Sequence, residues 1–409
     1  MNLTNPAQTF FKEIKFFNGL NKNAIKLLIS NLSFEIASPM IYIFSNSFFW
    51  YKTFDIQLIL LFNLFFYLFI PLSFFLNAYL LKRINVKYIA FSGLILQGIS
   101  LLFFIFNVNP NYFNTILFGM LLGLFSGLYW ANRNFMEFQT TKDENRDYYY
   151  GIFLSGATLI SILFNTIYGN FLGYPEIWGV SKDRLYLIAA IFVIIVLTIS
   201  GSFLIKGTFR NPIVKSIILK NPNDKWKRFR KIYFLTGLRE SNSFLIPTLL
   251  ILYVLQTEVL LGEANSLASI ASAVVIYLIG RYIRKQDRKI VIALGTLLLA
   301  INSFLLIIFY SNQFAFIYNT IESIGNIFIY LSLVPMFLNQ LDIQKESSDS
   351  EYKFLFDADL FLNIGRIIGT VLIFLIFKLF GNEAGIKLTP LLFIVFNLFF
   401  LRSVYLVKD

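Results

Sequence analysis

The sequence predicts an all-α, polytopic membrane protein whose twelve transmembrane helices form two six-helix bundles. Three observations support this fold class. Apolar residues make up 57% of the 409 residues and charged residues only 14%, which leaves too little polar surface for a water-facing exterior. Apolar runs of membrane-spanning length, about 20 residues each, recur twelve times. One long basic stretch, residues 206–231, separates six runs from six.

Taken in order, the chain opens with a mixed polar and aromatic tail, residues 1–24, which we expect on the cytoplasmic surface. Residues 25–205 would form the N-terminal bundle, 206–231 a basic cytoplasmic linker, and 232–409 the C-terminal bundle. The predicted spans are 25–49, 56–80, 88–107, 112–136, 149–173, 184–205, 232–256, 265–283, 290–310, 313–338, 354–379 and 386–406.

The basic residues predict the orientation of these spans. If the N-terminus is cytoplasmic, 27 of the 35 Lys and Arg residues fall in inner segments and five in outer ones. Because Lys and Arg are retained on the cytoplasmic side, both termini are expected there, in a multi-pass protein of the plasma membrane. Trp50 and Trp178 then fall near the outer interface, where indole rings anchor. The net charge of +12 thus follows from topology, and we expect no nucleic-acid partner.

The two halves repeat a short basic connection. The first reads NAYLLKRINVKYIAFSGLIL at 77–96, and the second reads GRYIRKQDRKIVIALGTLLL at 280–299. Two tandem units in one orientation imply a pseudo-twofold axis along the membrane normal, with a path between them.

With twelve spans, a basic central loop and these paired connections, the chain resembles the major facilitator superfamily. The motif Gly-x-x-x-Asp-Arg-x-Gly-Arg-Arg of that family is only partly matched. Lys82 and Asn85 replace two of its residues in the first loop, and Arg284 replaces its Asp in the second. The fifth span reads NTIYGNFLG at 165–173, without the Pro expected of antiporters. The resemblance therefore implies the superfamily and no subfamily.

The resemblance implies that spans 1, 4, 7 and 10 line a central cavity, and most charges within spans fall there. A charge in the bilayer costs at least about 2.5–3.5 kcal/mol, so it faces the protein interior. The candidate coupling and substrate residues are Glu35, Tyr42, Arg239, Glu240, Asn319, Glu322, Asn326 and Arg366. Carboxyl groups in a poorly hydrated cavity can load and release protons near neutral pH, as we expect for Glu35, Glu240 and Glu322. The alternative is a structural pair of Glu35 or Glu240 with Arg239.

A second group is expected at a cytoplasmic gate: Arg83, Arg133, Glu137 and Asp359. Arg133 and Glu137 are i,i+4 neighbours and would bridge to each other or to Arg83. Arg366 could attract an anionic group or pair with Asp359.

These features favour a secondary active transporter that moves a small solute by alternating access. We expect H+ coupling, with Na+ as the alternative ion, and export of an amphiphilic compound. A lipid or lipid-linked glycan flippase on the same fold is the competing hypothesis. The chain has no His and no Cys, which excludes the common zinc sites and thiol chemistry, and no catalytic loop motif is evident. We therefore expect a monomeric non-enzyme in the lipid bilayer, with no cofactor and no metal.

Overall fold

The computed structural model describes residues 17, 19–106, 110–282, 285–346 and 351–406. Twelve long helices account for most of these residues and agree with the predicted spans to within several residues at most ends. They are α1 (Lys22–Thr53), α2 (Ile56–Leu80), α3 (Val86–Phe106), α4 (Tyr112–Thr140), α5 (Asp143–Gly173), α6 (Lys182–Ile205), α7 (Asp224–Leu255), α8 (Glu258–Tyr282), α9 (Arg288–Ile308), α10 (Asn312–Glu346), α11 (Glu351–Phe380) and α12 (Asn382–Tyr405).

Short polar side chains set several helix starts by capping the first free backbone amides. The Asp55 carboxylate accepts from the Gln57 amide at 2.8 Å ahead of α2. Asn223 accepts from the Trp226 amide at 2.8 Å ahead of α7. Because of this cap, α7 begins at Asp224 rather than at the predicted residue 232. The last third of the predicted linker is therefore the basic first turns of a helix.

Within the described residues, eleven helices have the length and hydropathy needed to cross a membrane. The helix outside that group is α10. Its polar residues Asn319, Glu322 and Asn326 interrupt an otherwise apolar sequence, and polar groups lower mean hydropathy. These polar residues lower the mean hydropathy of α10. They also require that one side of α10 faces protein or water instead of lipid.

Helix packing repeats between the two halves of the chain. In the first half α1 packs on α5 and α6, α2 packs on α4, and α3 packs on α4 and α6. Adding six to each number gives pairs that also pack: α7 on α11 and α12, α8 on α10, and α9 on α10 and α12. The two six-helix bundles are thus built on one plan and are related by a pseudo-twofold axis.

The bundles meet mainly through α5 against α8 and through α2 against α11, and the same twofold exchanges these two interfaces. Glycines allow the backbones of α5 and α8 to touch. A Cβ atom on Gly169 would lie 2.8 Å from the carbonyl oxygen of Glu258, and one on Gly262 would collide with the carbonyl oxygen of Asn165. Small residues permit this close approach of helices in membranes.

Residues 206–211 lie against the ends of several helices, and we call this side of the molecule the linker face. Lys26 donates to the carbonyl of Lys206 at 2.6 Å. Asn211 donates to the carbonyls of Leu81 and Ile84 at 2.7 and 2.8 Å. The opposite side, which carries the connection between α7 and α8, is called the far face.

The linker face also holds the C-terminal end of α12, because Arg228 donates to the carbonyl of Leu406 at 2.8 Å. Phe209 is buried at 4% exposure, whereas Ile213 is 65% exposed. The start of the linker is therefore packed into the protein, and only its later part is open to its surroundings. Trp178 is half exposed, as an interfacial anchor requires, but Trp50 is buried against Tyr253.

We predict that Gly262→Ala lowers the free energy of unfolding by about 1–3 kcal/mol, the usual cost of overpacking. The added methyl group would push α8 away from α5. The apparent melting temperature of the purified protein in detergent, followed by intrinsic fluorescence, measures the effect. Gly151→Ala on α5 is the matched control, since a Cβ there meets nothing within 4 Å. Equal melting temperatures for the two variants would contradict the proposed tight contact.

Candidate functional site

A π-helical turn in α1 contains Tyr42, one of the residues predicted to line the cavity. Pro39 lies inside α1, and Met40–Phe44 form a π turn directly after it. The Ser45 hydroxyl donates to the carbonyl of Met40, five residues back, at 3.1 Å. Such turns rotate the following side chains and are frequent at functional sites. Tyr42 lies in this turn, and its hydroxyl accepts a hydrogen bond from the Trp130 indole of α4 at 3.2 Å.

The first charged cluster surrounds Glu137 on α4. Its carboxylate pairs with Arg133 at 2.9 Å, and it also accepts from Asn31 at 2.7 Å and from the Tyr150 hydroxyl at 3.1 Å. Both members of the ion pair are buried. The sequence allowed Arg133 and Glu137 to bridge to each other or to Arg83, and the structure contains the bridge to each other. The hydrogen bonds of Glu137 join α1, α4 and α5.

Arg83, which was predicted for the same gate, does not join this ion pair. Its side chain is exposed, and its guanidinium lies over the ring of Tyr79, 6.0 Å from the centroid. Arg83 sits in the connection between α2 and α3, at the linker face, whereas Arg133 is buried deep within α4. The structure does not bring the two arginines together.

Glu35 lies within α1 and makes no salt bridge with a described residue. It lies near enough to Arg133 to interact electrostatically with it, and the Ser38 hydroxyl is within hydrogen-bonding reach. Arg133 forms its salt bridge with Glu137. Glu35 therefore feels the charge of Arg133 without forming a salt bridge with it.

In the second bundle, Glu240 and Arg366 form the central ion pair. The Arg366 guanidinium donates to one Glu240 oxygen at 2.6 and 3.0 Å. The sequence had suggested Arg239 for Glu240 and Asp359 for Arg366, and neither pairing is present. The physical reason is helical geometry: consecutive residues point about 100° apart around a helix. Glu240 therefore faces α11, while Arg239 faces α10.

Arg239 is a buried cation at 4% exposure, and it makes no salt bridge with any described residue. Its guanidinium donates to the side-chain oxygen of Asn326 on α10 and lies over the Phe400 ring, 5.7 Å from the centroid. Asn326 in turn donates to the backbone carbonyl of Glu322 at 2.8 Å. The amide thus links the cation of α7 to the turn of α10 that carries the next carboxyl.

Glu322 is held by neutral donors only. The Ser243 hydroxyl of α7 donates to it at 2.6 Å, and the Asn302 amide of α9 at 3.4 Å. Glu322 is 3% exposed, and Asn319, one turn earlier on α10, is also buried. A buried carboxyl without a cationic partner is costly in its charged form. Glu322 makes no salt bridge with a described residue, although Arg239 lies near enough to interact with it electrostatically.

Asp359, which was predicted for the gate, lies beside the ion pair of the second bundle. It interacts electrostatically with Arg366 and Glu240, and the Asn134 amide of α4 is within hydrogen-bonding reach. Arg366 also lies 5.5 Å from the ring centroid of Tyr67 on α2. Asp359, Arg366 and their neighbours therefore lie where the two bundles meet.

A cluster on the far face was not predicted from the sequence. Glu258, the first residue of α8, is buried at 4% exposure. It accepts from Lys182 at 2.6 Å, from the Tyr186 hydroxyl at 3.0 Å and from the Ser47 hydroxyl at 3.1 Å. These donors belong to α6 and α1, so one carboxylate of the second bundle joins two helices of the first. Glu258 fell in a predicted connection, and a lone acid there carries no distinguishing signal.

A model of the Major Facilitator Superfamily matches residues 25–341, more than half of the chain. This chain belongs to the Major Facilitator Superfamily. Its expected membership and fold class are thereby confirmed. It is 24% identical over 380 residues to the uncharacterized protein YqgE of Bacillus subtilis (strain 168), which covers 90% of this chain and 86% of that protein.

The fold is also that of a solved member of the superfamily. The crystal structure of the human organic anion transporter MFSD10 (TETRAN) superposes with a TM-score of 0.62 at 12% identity, covering 93% of this chain and 98% of that one. At this identity the likeness shows the fold alone. Together with family membership, it identifies the chain as a multi-pass membrane transporter of this superfamily.

We predict that Glu258→Gln weakens far-face closure by about 1–2 kcal/mol, the loss of one charge-assisted contact. The ratio of open to closed molecules should rise about five- to thirtyfold. Spin labels on Trp178→Cys and Phe309→Cys, both exposed, report the far-face distance by pulsed electron paramagnetic resonance. The chain has no native cysteine, so only these positions are labelled.

The matched control is Glu263→Gln on the same helix, since Glu263 is exposed. It should leave the distance distribution of the labelled parent unchanged. If Glu258→Gln also leaves it unchanged, the cluster around Glu258 does not hold the far face closed.

Proposed function

We propose that this protein is a secondary active transporter that couples movement of a small solute to protons. The observation that supports the coupling is the environment of Glu322. Its carboxyl is buried, accepts hydrogen bonds from a hydroxyl and an amide, and makes no salt bridge with a described residue. Such a group carries a proton at lower cost than a charge, and it can exchange that proton when the surrounding helices move.

The balance of interior charges supports the same assignment. Two ion pairs, Arg133 with Glu137 and Arg366 with Glu240, each carry no net charge. Among the described residues, three further carboxyls on α1, α10 and α11 remain without a salt bridge, and of Arg133, Arg239 and Arg366 only Arg239 is left to offset them. Net neutrality of this interior requires bound protons or another cation. The carboxyls in question are Glu35, Glu322 and Asp359. We propose H+ as the coupling ion, with Na+ as the alternative.

Alternating access is supported by contacts between the bundles on both faces. On the far face, Glu258 holds α8 to α1 and α6. Toward the linker face, Asn77 of α2 donates to the Tyr352 hydroxyl of α11 at 3.0 Å. We propose that residues 25–205 and 232–409 rock as two units joined by 206–231. Opening one face then requires breaking the contacts on that face alone.

The side chains around the centre favour an amphiphilic solute. Aromatic rings of α1, α2 and α10 lie beside the charged groups, so the site offers apolar area and hydrogen-bonding hydroxyls together. They are Tyr42, Tyr67 and Tyr330, of which Tyr330 is 45% exposed. We propose export of such a compound from a monomer in the plasma membrane.

We predict that Glu322→Gln reduces pH-gradient-driven transport more than tenfold, because the amide cannot carry the proton. Proteoliposomes with an imposed pH gradient are assayed with ethidium and Hoechst 33342 as amphiphilic probes, and with labelled sugars as polar ones. A pH-sensitive dye inside the vesicles records accompanying proton flux. Glu176→Gln, at an exposed position between α5 and α6, should transport like the parent.

Transport that ignores both proton and sodium gradients, with Glu35→Gln, Glu240→Gln and Glu322→Gln all active, would disprove the coupling assignment. Transport that follows a sodium gradient alone would replace H+ by Na+. The flippase alternative is tested in the same vesicles with fluorescent phospholipid and dithionite quenching. Rapid lipid flipping without solute transport would establish that alternative.

We further predict that the linker face is cytoplasmic, since it carries most of the basic residues. A green fluorescent protein fused after residue 409 should fluoresce in bacterial cells, and alkaline phosphatase fused there should be inactive. Both reporters fused after Trp178 of a truncated chain should give the opposite result. The reversed pattern would place the linker face outside.

A further inference from the structure

A groove opens between α7 and α11 at their linker-face ends. It encloses about 390 Å³ and is lined by Lys227, Arg230, Lys231, Phe234, Phe361 and Ile364. None of these residues belongs to the candidate coupling or gate groups. Three cations and three apolar side chains make a lining that is strongly basic and strongly apolar at once.

The cations of the groove do not all have partners of their own. Arg230 is satisfied by Asp357, which it meets at 2.6 and 2.5 Å and which also accepts from the Trp226 indole at 2.6 Å. Lys227 pairs with Asp224, but both side chains are well exposed, at 60% and 87%, and such pairs contribute little. Lys231 is exposed and has no acidic partner among the described residues. Two ammonium groups are thus available to an anion.

The charged residues of the groove lie near the linker and the apolar residues lie deeper, an arrangement that matches the head and tail of an amphiphile. Lys227 and Lys231 lie in the first turns of α7, close to the linker. Phe234 follows one turn deeper, and Phe361 and Ile364 lie further into α11 than Asp357, which marks the level of Arg230. A molecule with its anionic head at the lysines would place its hydrocarbon part against Phe234, Phe361 and Ile364.

We propose that this groove binds a phospholipid with an anionic headgroup from the leaflet at the linker face. The headgroup phosphate contacts the lysines, and an acyl chain covers the apolar floor. Basic pockets between transmembrane helices bind anionic lipid headgroups in this way. The lipid bridges α7 and α11, the helices that carry Glu240 and Arg366, and so strengthens their packing.

The test uses the full-length protein in a neutral detergent, titrated with phosphatidylglycerol. The apparent melting temperature should rise as lipid binds the folded state, and native mass spectrometry should count the bound lipid. Phosphatidylcholine should produce no comparable rise. Glycerol 3-phosphate separates a free phosphate ligand from a lipid and should also have little effect.

Lys227→Gln combined with Lys231→Gln should weaken phosphatidylglycerol binding at least tenfold. The matched control is Lys220→Gln with Lys225→Gln, which removes two exposed cations of the same region outside the groove and should bind like the parent. Arg230 is left intact because Asp357 depends on it.

Ile364→Ser tests the floor of the groove and should weaken binding of long-chain phosphatidylglycerol more than that of a six-carbon form. Equal responses to phosphatidylcholine or to glycerol 3-phosphate would overturn the proposal. Equal losses in the two lysine double variants would do so as well. These binding measurements do not depend on transport, so they can fail while the proposed function stands.

Discussion

The cost of charge in hydrocarbon governs the interior of this transporter. Each ionisable side chain within the bilayer must find a cation, an anion, a proton or a hydrogen-bonding shell. Arg133 meets this requirement through Glu137, and Arg366 through Glu240. Glu322 meets it through Ser243 and Asn302, which are neutral. This difference between paired and unpaired carboxyls separates groups that brace the bundles from groups suited to proton coupling.

The pseudo-twofold repeat distributes these groups over both bundles. Because α5 packs on α8 and α2 packs on α11, the same operation that relates the bundles also relates their two interfaces. Glycine contacts such as Gly169 against α8 let the backbones approach closely, whereas the centre is built of side-chain charges and aromatic rings. The arrangement combines close contact along the bundle edges with a polar interior between them.

Contacts between the bundles differ in chemistry at the two faces. Glu258 on the far face is a buried carboxylate with three donors from the other bundle. Near the linker face, Asn77 and Tyr352 form a neutral hydrogen bond. When the bundles separate at the far face, the Glu258 carboxylate loses all three of its hydrogen bonds together. We therefore expect closure of the far face to depend more strongly on a single residue.

The sequence by itself determined the twelve helices, the six-plus-six division and most span boundaries, since hydropathy and Lys/Arg placement act locally along the chain. It also singled out Glu35, Arg239, Glu240, Glu322 and Arg366 as interior charges. Only the tertiary structure decided their partners. Glu240 pairs with Arg366 and not with its neighbour Arg239, Arg83 makes no contact with the Arg133–Glu137 pair, and Glu258 joins the two bundles. Pairing across helices depends on how each helix is rotated and which helix it faces, and hydropathy records neither.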